Sequence, residues 1–342
     1  MSGAALAALL AAPVPAWVGG ESGAYLRAPV GATAFAMGGA FAAAPQYLAC
    51  WWNPAALAAY RERHAALGMG VRSLGRMEGF GGISFRIPTR FGLGVSMLYR
   101  GDPFLDDLYD ENENPVDGGS YSTLTFKAGV GYLINRSWSA GIGFGVYYQS
   151  LPTAFTSDGV LNSTVTGIGG FTLALRYQAL DRWCVALMAR NLGLTMDWEI
   201  TASEDGYYGS RSSDKPLPEF VLASRFEGRL LRHPLVWTSD LAGYVFDGDW
   251  ERLPHAEAQW HNGVEWRRWE SFYLRLGLGD VPLSGTLFSD ASAYFDAFSL
   301  RVTGGFAWQL KRISDGLWVN YGIASDKSGM LFDQVLDISL AF

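Results

Sequence analysis

Hydrophobic and polar residues alternate along most of this chain with a period of two. The pattern is cleanest over 138–149. There Trp138, Ala140, Ile142, Phe144, Val146 and Tyr148 fall on one face, and Ser139, Gly141, Gly143, Gly145, Tyr147 and Gln149 on the other. Period two sends successive side chains to opposite faces of a strand, whereas a helix would spread these residues around its circumference. The alternation recurs over 298–311, where Phe298, Leu300, Val302, Phe306, Trp308 and Leu310 oppose Ser299, Arg301, Thr303, Gln309 and Lys311. It recurs again over 256–267, where Ala258, Trp260, Val264 and Trp266 oppose Glu257, Gln259, His261, Glu265 and Arg267.

Read through, the pattern predicts strands at 64–74, 79–88, 90–100, 121–134, 138–150, 165–178 and 183–196. The second half adds 218–228, 234–246, 255–268, 271–280, 297–311, 317–325 and 333–342. Fourteen is an even number, as in bacterial single-chain barrels. Short links near 88–90, 135–137, 181–182, 229–234 and 269–270 alternate with longer ones at 101–120, 151–164, 197–217, 247–254 and 281–296. That is the rhythm of periplasmic turns and outer loops. Polar faces carry many glycines and few long charges, and apolar faces often begin or end in a ring, as at the bilayer interfaces of a membrane barrel. The fold predicted is all-β: a fourteen-stranded antiparallel transmembrane barrel with an N-terminal plug, or hatch.

The stretch 28–60 breaks the pattern. It is apolar, rich in Gly and Ala, and interrupted by Pro29, Pro45 and Pro54. It is too broken to span a bilayer as a helix. Its place is inside the barrel, with a short helix over Ala55–Tyr60 starting at Asn53-Pro54. Residues 1–16 have the apolar core and small-residue site of a secretory signal but no positive n-region. The domains expected are a leader at 1–16, a hatch at 17–63 and an outer-membrane barrel at 64–342.

Composition sharpens this picture. Hydrophobic residues make up 49%, charged residues only 17%, and glycine is abundant at 42 residues. The formal net charge of −7 speaks against nucleic acid as a partner. Segment 101–120 holds seven acids and no Lys or Arg, without the spacing of a calcium loop. The four histidines are scattered, no HExxH, GxSxG or phosphate-binding loop occurs, and no metal, cofactor or catalytic site is expected. Cys50 falls in the hatch and Cys184 on an inward face, so two readings stay open: a hatch-to-wall disulfide, or two buried free thiols. The charges Arg100, Lys127, Arg176, Arg225, Asp240, Glu265, Arg275 and Arg301 face the lumen by parity. They either line a path or, as is commoner in an occluded barrel, pair and hold the hatch. In the last strand Leu336, Ile338, Leu340 and Phe342 oppose Asp337 and Ser339. A terminal aromatic such as Phe342 resembles the assembly signal of outer-membrane proteins.

The hatch carries a further resemblance. Gly31-Ala32-Thr33-Ala34, Met37-Gly38-Gly39-Ala40-Phe41 and Trp52-Asn53-Pro54-Ala55-Ala56-Leu57-Ala58 resemble the N-terminal signature of the PorV/PorQ family, which is related to the FadL-type outer-membrane transporters. The chain departs from it in lacking an acid between the two motifs and in having Ala56 where glycine is usual. The resemblance implies passive transport of hydrophobic small molecules across the outer membrane of a Gram-negative-type bacterium. Its other implication is a PorV-type shuttle that hands secreted proteins on in type IX secretion. A barrel with no traffic is the third reading. The partners implied are outer-membrane lipid, the assembly machinery, and hydrophobic small molecules or secreted proteins. Within the hatch Gly38 and Gly39 are expected to turn the chain, and Trp51, Trp52, Asn53, Pro54 and Ala55 to form its working part.

Overall fold

The computed structural model describes residues 23–43, 45, 47–88, 90–102, 108–109, 115–116, 121–151, 154–156, 159–202, 210–245, 256–283, 300–325 and 332–342. The leader expected at 1–16 and most of the acidic loop 101–120 lie outside them. Fourteen strands make the wall. They are β1 His64–Val71, β2 Met77–Arg86, β3 Phe91–Gly101, β4 Ser122–Leu133, β5 Trp138–Ser150 and β6 Gly159–Leu180. β7 is Trp183–Leu192 continued by Thr195–Ala202, and β8 is Glu219–Leu230 preceded by Ser210–Asp214. β9 His233–Val245, β10 Ala256–Trp269, β11 Phe272–Pro282, β12 Arg301–Gln309, β13 Leu317–Ser325 and β14 Phe332–Ala341 complete it.

Each strand pairs antiparallel with the next, and β14 returns to β1 with His64 opposite Ala341 and Val71 opposite Gln334. The sheet therefore has no open edge, the condition for strands to cross hydrocarbon. Among the described residues no helix is long and apolar enough to cross a membrane. The outward positions are the greasy ones, Leu67, Ile168 and Leu276 being about 70% exposed. The inward positions are mostly small, polar or charged, with Phe80, Leu98, Val221 and Val335 among them packing in the inner segment's apolar cluster. The fourteen-stranded antiparallel barrel is thus the fold, with the apolar outer face of a membrane barrel.

Three departures from the expected strands have local causes. β6 begins six residues early, at Gly159 rather than 165, and β7 and β8 extend to Ala202 and from Ser210. Alternation fails there because Gly169, Gly170 and Gly193 take φ of 116°, 62° and 66° and the ladder slips, yet pairing resumes from Thr195–Ile168 to Ala202–Leu161. The link expected at 229–234 shrinks to Leu231-Arg232, both left-handed at φ 50° and 71°, so Leu230 already pairs with His233. The helix expected over Ala55–Tyr60 is a 3-10 turn at Pro54–Ala58, with Asn53 Oδ1 accepting from the Ala55 N–H at 3.0 Å.

Inside the wall runs an irregular inner segment. It has a 3-10 turn at Ala24–Arg27, α1 at Ala32–Ala36 and α2 at Ala49–Trp52. Gly38 and Gly39, at φ 68° and 90°, reverse the chain after α1. From Val30 to Ala58 nearly every described residue is buried, with Phe35, Phe41, Trp51 and Trp52 in one apolar cluster. Inward glycines let the backbone come close. A Cβ on Gly141 would overlap Pro54 C and Ala55 N, and one on Gly131 would crowd Pro54 O.

Gly141→Ala is therefore expected to destabilise the barrel by about 1–3 kcal/mol through overpacking. Gly79→Ala, where no atom lies within 4 Å of the new Cβ, is the control and costs nothing. The temperature at which the unheated protein loses its fast- or slow-running folded band on a denaturing gel reads the difference.

Candidate functional site

The candidate site is the seam between the inner segment and the wall. An irregular segment leaves its backbone N–H and C=O groups without ladder partners, and buried ones need others. The wall supplies them by charge. Asp337 on β14, 1% exposed, accepts at Oδ2 from the Ala32 N–H at 2.7 Å and the Tyr47 hydroxyl at 2.8 Å. Its Oδ1 accepts from Asn320 Nδ2 at 2.7 Å. Burial raises the Tyr47 phenol well above its ordinary value, so it stays a donor. Asp240 on β9 accepts at Oδ2 from the Phe41 and Ala42 N–H groups at 3.0 and 2.9 Å.

Guanidinium groups hold the carbonyls. Arg100 donates to the carbonyls of Tyr25 and Ala28, and Arg72 to Pro29 O at 3.0 Å. Both arginines grip Glu78 Oε2, at 2.7 and 2.8 Å, and the Glu78 side chain is fully buried. Arg190 donates to Trp52 O at 2.7 Å and Arg176 to Ala43 O at 3.3 Å. At these positions acids take the segment's N–H groups and arginines its C=O groups, each a charge-assisted bond.

The residues singled out from the sequence take several places. Arg100, Arg176 and Asp240 touch the inner segment directly. Lys127 stands over the Trp51 ring, 4.2 Å from its centroid. Arg275 pairs with Glu265 at 2.7 Å and reaches the segment through Asn320, at 2.9 Å, and Asp337. Arg301 pairs with Asp280 at 3.1 Å and covers the Phe35 ring. Arg225 is half-buried and pairs with Glu227 on its own strand. Trp51 and Trp52 are 5% and 6% exposed, so both indoles are spent on packing, Trp52 also donating to Val30 O at 3.0 Å. Asn53 ties Ala42 O at 2.8 Å to the Pro54–Ala58 turn. Phe342 exchanges backbone hydrogen bonds with Arg63 at 2.9 and 3.0 Å, closing the ring below β1.

Sequence reasoning missed Glu78, Arg190 and Glu219, and placed Asp337 on the polar face of its strand without giving it a role. Parity would have found Arg190 beside Cys184 and Glu219 beside Arg225, since each shares an inward face with a residue already placed. Glu78 sits one position before the expected start of its strand. The cysteines do not pair. Cys50 Sγ donates to Lys127 O at 3.5 Å and Cys184 Sγ to Ala43 O at 3.3 Å, and both are free. The disulfide reading falls because each thiol is turned to a carbonyl of its own. Among the described residues no group of three or more His, Cys, Asp or Glu side chains could hold a metal ion.

This geometry defines a class: an outer-membrane β-barrel whose lumen is occupied by a segment bonded to the wall through buried charges. No protein-family model matches the chain, and no curated protein matches it. Solved structures do. The toluene transporter TbuX of Ralstonia pickettii superposes with a TM-score of 0.56 at 14% identity, over 92% of this chain and 98% of that one. The monoaromatic hydrocarbon channel CymD gives 0.54 at 16% identity, over 91% and 96%. A FadL homologue of Pseudomonas aeruginosa gives 0.56 at 11% identity, over 91% and 97%. The likeness establishes the fold as that of the FadL-type barrels.

Asp337→Ala leaves the Ala32 N–H and the Tyr47 hydroxyl without acceptors, and is expected to cost about 1–3 kcal/mol or more. Urea titration of the folded band in detergent measures it. For the cysteines, unreduced peptide mass spectra should show two free thiols. A maleimide should label neither until the protein is unfolded, since burial also pushes the Cys50 thiol up to about 11.

Proposed function

We propose that this chain is a FadL-like channel for hydrophobic small molecules in the outer membrane of a Gram-negative-type bacterium, with residues 17–63 as its hatch. The supporting observation is the end-to-end likeness to barrels named as toluene and monoaromatic hydrocarbon transporters, which extends over more than nine-tenths of both chains. The hatch suits the role. It carries Phe35, Phe41, Trp51 and Trp52 in one apolar cluster, a surface onto which a greasy solute leaves water favourably when the hatch shifts. No step of bond making is required of any residue.

A PorV-type secretion shuttle is the second reading, favoured by the ordered MGGAF and WNPAALA runs. The two part company in cells. Deletion of the protein is expected to lower uptake of radiolabelled toluene severalfold while export of surface proteins is unchanged. The Trp51→Ala, Trp52→Ala double variant is expected to change uptake in the same assay. Lost export with normal uptake would install the shuttle instead.

A further inference from the structure

The inner segment meets the wall in two different ways. Against β3–β5 and β10–β11 it lies backbone to backbone, at glycines such as Gly92, Gly141, Gly263 and Gly277 where a Cβ would overlap it. Against β7–β9 charged side chains hold it off. There a crevice of about 30 Å³ opens between Trp52 and Gly39 on one side and Arg190, Glu219, Asp240 and Tyr244 on the other. Space of that size takes one or two waters.

Two buried polar atoms of the crevice residues have no protein partner. Asp240, 3% exposed, spends Oδ2 on Phe41 and Ala42, while its Oδ1 accepts from no group. Arg190 spends Nη1 on Glu219 at 3.1 Å and Nη2 on Trp52 O, while its Nε–H donates to none. A buried charged atom left without a hydrogen bond is costly, and water is the usual remedy. The crevice is lined by both signs of side chain, Arg27 and Arg190 with Glu219 and Asp240, and by His261. A lone anion or cation meets groups of its own sign there, and an apolar solute would strip water from these polar groups.

We propose that this crevice is a built-in hydration site, where bound water donates to Asp240 Oδ1 and accepts from Arg190 Nε–H. The seam along β7–β9 is then the wet side of the hatch. This holds whichever cargo the barrel carries.

Millisecond X-ray hydroxyl-radical labelling of the folded barrel in H₂¹⁸O tests the site, because bound water labels its neighbours. Tyr244 and Trp52 border the crevice at 2% and 6% exposure; Tyr47 and Trp51, away from it, are equally buried at 5% each. Tyr244 is expected to label severalfold faster than Tyr47, and Trp52 severalfold faster than Trp51. Ala242→Leu, which fills the crevice, should bring each fast residue down to its partner. Should that variant fail to fold, the wild-type pairs decide alone. Equal rates within both pairs, or an excess that survives in a folded Ala242→Leu barrel, overturns the proposal.

Discussion

A buried backbone amide must have a hydrogen-bond partner, and everything in this structure follows from meeting that demand twice. In the wall the demand is met by closure. Fourteen strands bond edge to edge, and β14 returns to β1, so the sheet has no open edge to present to lipid. In the lumen no ladder is available to the irregular segment 24–58. Its own turns meet many of its amides, and carboxylates that the wall turns inward meet others, Asp337 for Ala32 and Asp240 for Phe41 and Ala42. Its carbonyls are met by Arg72, Arg100, Arg176 and Arg190. Buried charges are expensive to hold, and these are held because each has a counter-charge or a backbone dipole against it.

The same seam explains why the wall uses glycine so freely on its inner face. A glycine admits the segment's backbone where any larger residue would push it off, while a charged residue reaches across a gap and holds it. Close backbone contact at the glycines and charged side-chain contact along β7–β9 together seat the segment in the lumen.

The barrel was legible in the sequence because a strand with lipid outside and a polar lumen inside advertises both faces at once. The run from Trp138 to Gln149 shows it residue by residue. The same rule placed Arg100, Lys127 and Asp240 inward. It failed at Gly169-Gly170 and Gly193, where left-handed glycines shift the register and the alternation stops carrying information, so the extended ends of β6–β8 went unread. Within the inner segment the Asn-Pro turn was legible, since Asn53 caps and Pro54 starts a helical turn by local chemistry. The pairing of Asp337 with Ala32, 305 positions apart, was not. Nothing local distinguishes an inward acid that bonds the inner segment from one, like Glu227, that pairs along its own strand.

Amide hydrogen exchange on the folded barrel in lipid tests the central claim most directly. If the wall's carboxylates hold the inner segment, the amides of Ala32, Phe41 and Ala42 exchange as slowly as those in the middle of the strands. Exchange of these three amides at loop rates, with the strand amides still protected, would show a segment that is not held, and would contradict the account.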